Sequence, residues 1–70
     1  MARLKYNFAI METRYPIGRQ PIVVVAQDLG GNEYAYLSHT QANRIAATLR
    51  ETRRAGDGEY DSPTYNVHIQ

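Results

Sequence analysis

The chain has no cysteine, which removes both a disulfide framework and a thiolate zinc site from the means by which a short polypeptide could be stapled. A reducing compartment suits it. Apolar runs of about 18–20 residues, the length a membrane-spanning helix needs, are also missing. The opening Met1-Ala2-Arg3-Leu4-Lys5 leads into alternation, where a signal peptide would carry a continuous apolar stretch. The expectation is a soluble protein with no membrane partner, located in the cytoplasm (the host cytoplasm if it is viral). Charge of one sign is lacking as well. Eight basic and seven acidic side chains leave a formal net charge of +1, so bulk electrostatics favour no class of partner.

Chemistry-bearing patterns are equally scarce. The only histidines are His39 and His68, and no spacing supplies either with the hydrogen-bonded partner that acid–base or nucleophilic catalysis requires. Asp57, Glu59 and Asp61 open like a calcium loop. The sixth and twelfth positions, where such a loop needs glycine and glutamate, hold Ser62 and His68. Gly30-Gly31 is not followed directly by a helix, so it suits a hairpin better than a phosphate cradle. A non-enzymatic protein follows, with no catalytic residue, no metal and no cofactor.

What the chain does contain is a clearly written helix between Leu37 and Gly56. Ser38 and Gln41 have the spacing of a capping box, with Leu37 and Ala42 as its hydrophobic staple. Ala42, Ile45, Ala46 and Leu49 then fall on one side of a 3.6-residue repeat. Arg50, Arg53 and Arg54 crowd the end, where cations complement the helix dipole. Before the helix the period is two. Leu4, Tyr6, Phe8 and Ile10 alternate with more polar neighbours, predicting a first strand over about residues 3–13. Ile22 to Ala26 is a β-branched run that suits a central strand. Gly30-Gly31 predicts a two-residue hairpin to a third strand over 32–36. After the helix, Tyr65, Val67 and Ile69 alternate in a fourth, with Pro63 near its start.

The predicted architecture is therefore one α+β domain spanning residues 1–70: a four-stranded, mainly antiparallel sheet with one helix packed on one face, in the order β-β-β-α-β. Leu37 fixes the faces. Leu4, Tyr6, Phe8, Ile10, Ile22, Val24, Ala26, Ala35, Tyr65, Val67 and Ile69 should join it under the helix. Asn7, Ala9, Met11, Val23, Val25, Tyr34, Tyr36, Asn66 and His68 should occupy the opposite face. That second face is apolar for a solvated surface, which marks it as an interface.

Three readings of the interface stay open. In the first, a protein or nucleoprotein partner docks on an apolar contact of Met11, Val23, Val25, Tyr34 and Tyr36, with Arg50 and Arg54 at its charged rim. In the second, a small regulator contacts DNA or RNA through Asn43, Arg44, Arg50 and Arg54, which lie beside the core-facing stripe of the helix, while Tyr34 and Tyr36 could stack on bases. Near-zero net charge weighs against it, since counterion release rewards a positive excess. In the third, the sheet self-associates in a two-fold homodimer, face to face or edge to edge.

The strand-to-helix passage Tyr36-Leu37-Ser38-His39-Thr40-Gln41-Ala42-Asn43-Arg44-Ile45-Ala46 resembles the corresponding passage of a phage-encoded anti-CRISPR inhibitor of the multisubunit type I surveillance complex. Small anti-defence proteins of that kind are cysteine-poor single domains of similar size. The resemblance covers about 11 of the 70 residues, mostly capping box and core periodicity, and transfers no functional residue. It implies a protein of a phage or mobile element that blocks a host defence complex by occupying its nucleic-acid-binding surface, without turning anything over.

Overall fold

A computed structural model of the chain describes residues 7–53 and 60–70. Within them β1 (Phe8–Pro16), β2 (Ile22–Val25), α1 (His39–Thr52) and β3 (Tyr60–Ile69) follow in the order β-β-α-β. The sheet has three antiparallel strands in the order β2-β1-β3, not four. Its central strand is β1, and β2, expected at the centre, lies at an edge. Among the described residues no helix is long and apolar enough to cross a membrane. Leu4, Tyr6, Arg54, the Gly56 stop, Asp57 and Glu59 lie outside the described residues.

The missing strand is the predicted 32–36 segment. Its alternation of Tyr34, Tyr36 and smaller residues reads as extended, but two local features interrupt it. The Ala35 N–H donates to the Glu33 carbonyl at 3.0 Å, a three-residue turn centred on Tyr34. Tyr36 then adopts a left-handed backbone at φ 55°. What remains are two isolated bridges, Gln27 with Glu33 and Phe8 with Leu37. The segment still serves β1. The Phe8 and Ile10 N–H groups donate to the Leu37 and Tyr34 carbonyls at 3.1 and 3.0 Å, so one edge of β1 is divided between this segment and β2.

Gly30-Gly31 likewise sits in a longer loop than a two-residue hairpin. Asp28 organises it: Oδ1 accepts from the N–H groups of Gly30 (2.8 Å) and Asn32 (2.9 Å). Gly31 supplies the positive φ of 84° that the return requires. These bonds favour the ionised carboxylate. The Asn32 amide, first among them, holds the Asp28 carboxyl below its ordinary 3.8, with desolvation acting in the opposite sense. A depressed carboxyl stabilises the fold fully above its unfolded value and loses that contribution as pH falls through the folded one. The Gly30 and Asn32 amide resonances should therefore titrate together with a midpoint below 3.8. A midpoint at or above that value would show that the loop does not bind the carboxylate.

Helix α1 starts as its sequence dictates. Ser38 is the N-cap, and its hydroxyl accepts from the Gln41 N–H at 3.1 Å. The buried stripe is Ala42, Ala46 and Leu49, which pack with Ile10, Ala26 and Tyr65; Phe8, Tyr34, Leu37, Ile45 and Val67 surround them. Two alanines at the contact let the helix approach β1 and β3 closely. It does not reach β2. Ile22 and Val24 share its side of the sheet without being covered, and Ile22 and Ile69 are exposed. Pro63 lies within β3, where the register shifts between Thr13 and Tyr15. Ser62 and Pro63 there oppose the single residue Arg14, a bulge that accommodates a residue without an N–H.

Candidate partner-binding site

Alternation along β1 divides the two faces of the sheet. Ile10 is wholly buried under the helix; Ala9, itself buried at 3% exposure, and the half-buried Met11 and Thr13 point the other way. The registers Met11 with Val25 and Asn66, Thr13 with Val23 and Thr64, and Ala9 with His68 set these residues in rows across the open face. Tyr15 joins them, its hydroxyl 3.2 Å from Thr64 Oγ1. Asp61, the register partner of Tyr15, brings an exposed carboxylate to one end of the face, and the other positions of these rows carry no charge. Val23 at 60% exposure is its most protruding aliphatic side chain.

Met11, Val23 and Val25 are thus brought together as the sequence predicts. Tyr34 is not. The turn centred on it directs the ring into the helix-side cluster, where it is partly buried. Tyr36 is 73% exposed and stands at the far end of the sheet, its amide donating to the side-chain carbonyl of Gln70, the residue after β3. A non-glycine residue in the left-handed region costs roughly 1–3 kcal/mol and persists where the surroundings hold it.

The helix residues are on the opposite side. Asn43 is exposed, with Nδ2 3.2 Å from His39 Nε2, while the His39 ring packs at 4.9 Å from Phe8. Arg50 serves the fold: its Nε and Nη2 donate to the Tyr65 carbonyl at 3.1 and 2.6 Å. Arg53 similarly donates to the Gln27 carbonyl at 3.0 Å. His39 and His68 lie on opposite faces of the sheet, so they form no catalytic pair. Among the described residues no group of three or more histidine or carboxylate side chains could hold a metal.

Three features escaped the sequence. Glu12 is buried at 8% exposure on the helix side, with Oε2 2.8 Å from Arg14 Nε. Continuing the Phe8–Ile10 alternation by one step would have found it. Tyr65 pairs with Glu12 across the sheet. Burial, reinforced by the Glu12 carboxylate, pushes its phenol above 10, while a hydrogen bond with Arg53 opposes the shift. Its neutral form contributes stability below that ordinary value, which is lost as pH rises through the higher folded one. The third feature is Leu29, 99% exposed at the tip of the Asp28 loop. It borders an open groove of about 710 Å³ shared with Tyr34, Leu49, Thr52 and Arg53.

Comparison of the chain with models of protein families, with curated proteins and with solved structures finds no match.

Proposed function

We propose that this is a non-enzymatic binding protein whose open sheet face, apolar around Met11, docks on a protein partner. The observation that carries the reading is the row structure of that face. Met11, Val23 and Val25 form an apolar centre, bordered by the hydroxyl and amide groups of Thr13, Thr64 and Asn66. Apolar area with hydrogen-bonding groups at its border is the composition of a protein interface. Tyr36, an exposed aromatic kept in a costly backbone conformation, extends the contact at one end.

The nucleic-acid reading loses Arg50 from its contact set, while Arg44 stays exposed on the helix. Arg50 and Arg53 spend their guanidinium groups on backbone carbonyls of the chain itself. Inhibition of a host defence complex is a narrower form of the proposal, and rests on the resemblance of residues 36–46 alone. The test is affinity capture from the lysate of a phage-infected or mobile-element-bearing host, with and without nuclease. Retention of a defined protein after digestion supports the proposal; loss of all retained material on digestion transfers the function to nucleic acid.

A further inference from the structure

The two edges of the sheet are treated differently. The Gln70 N–H donates to the Asn7 carbonyl, so in the β1–β3 ladder the backbone groups of Tyr65, Val67 and Ile69 point outward. That edge is guarded as far as Tyr65, while no described group bonds the outward groups of Val67 and Ile69. Arg50 occupies the Tyr65 carbonyl, and Pro63 and the bulge interrupt the strand before it. On β2, Ile22 and Val24 face β1 in the ladder, which turns the N–H and C=O groups of Val23 and Val25 outward. Among the described residues no group bonds to them. From Pro21 to Ala26 there is no charge and no bulge, and the only proline opens the segment.

Apolar exposure concentrates at the same edge. Of the six large hydrophobic residues exposed among the described ones, Ile17, Ile22, Val23 and Leu29 lie on β2 or its flanking loops. Four residues give an extended peptide little to grip, but a second copy of the strand brings its flanking loops with it. We infer that β2 pairs with β2 of a second copy, antiparallel about a two-fold axis through Val24, extending the sheet to six strands.

The register follows from the outward groups. Val23 pairs with Val25 of the other copy, and Val25 with its Val23, while the two Val24 residues meet at the axis. Backbone bonds then join both copies without like charges meeting. The same axis sets the Arg19 end of one strand beside the Asp28 end of the other, twice, so opposite charges flank the seam. The interface is isologous, and leaves the open faces of both copies on one side.

The test is molar mass by light scattering over a concentration series reaching millimolar chain. A dimer of twice 8.0 kDa is expected. Val23→Pro deletes two outward donors per dimer without removing an intramolecular bond, and should weaken dimerisation about tenfold or more. Val23→Lys places a charge at the seam and should act in the same direction, which keeps the test decisive if the proline variant fails to fold. Ile69→Lys, at the other edge, should leave the mass unchanged. A monomer at every concentration overturns the inference. So does a dimer that survives Val23→Lys or is lost in Ile69→Lys.

Discussion

Ile10→Ala is expected to leave no folded protein at physiological temperature. Ile10 and Tyr65 are the largest side chains buried completely among the described residues, and Ile10 sits on the central strand in one cluster with Ala42 and Ala46. Truncating a buried isoleucine to alanine costs about 2–5 kcal/mol, more where neighbours cannot close the space. Alanines cannot close it. A core in a chain of this size supplies only about 3–5 kcal/mol in all, so the loss is of the same size as the whole. Amide dispersion in a two-dimensional NMR spectrum should collapse for Ile10→Ala and persist for Leu29→Ala, whose side chain already projects into solvent. Cooperative unfolding of Ile10→Ala at near wild-type stability would mean that the core is elsewhere.

The second large effect concerns Glu12. Its carboxylate is buried on the helix side of β1, and the Arg14 guanidinium 2.8 Å away neutralises it. Arg14→Ala removes that cation and leaves a carboxylate in a mostly apolar setting. A fully buried pair broken this way loses about 3–5 kcal/mol. Here the arginine side chain is 45% exposed, and solvent screening reduces the expected cost to about 1–2 kcal/mol. Adding Glu12→Leu to Arg14→Ala replaces the unpaired buried carboxylate with an apolar side chain. The double variant should therefore recover most of the stability that Arg14→Ala loses in urea denaturation. Equal losses in the single and double variants would show that Arg14 acts through packing alone.

How much of this was legible depended on whether a residue's role is local. Ser38, Gln41 and the Ala42–Leu49 stripe declare the helix because a cap and a 3.6 repeat are properties of the nearby chain. Phe8, Ile10, Tyr65 and Val67 were correctly placed under it, because alternation with one buried face is also local. The third strand failed because its extended pattern was overruled by the turn at Tyr34 and the left-handed Tyr36. Neither carries a glycine to announce it. The position of β1 between β2 and β3 is a long-range result: the return of the chain after α1 to Phe8–Pro16 decides it.

The same distinction governs the site. Met11, Val23 and Val25 assemble because two adjacent strands in antiparallel register share a face. Tyr34 departs with the lost strand. Arg50 reads as a free cation at a helix end, and only the tertiary approach of β3 reveals the Tyr65 carbonyl that holds it.

Docking through the open face is tested by comparing two charge insertions in one capture experiment after nuclease digestion. Met11→Glu places a carboxylate at the apolar centre of the open face, and Arg44→Glu alters an exposed helix position on the opposite side. With both variants folded, loss of the retained protein from Met11→Glu and its persistence with Arg44→Glu is the predicted result. Persistence with Met11→Glu and loss with Arg44→Glu would contradict it and move the binding surface to the helix.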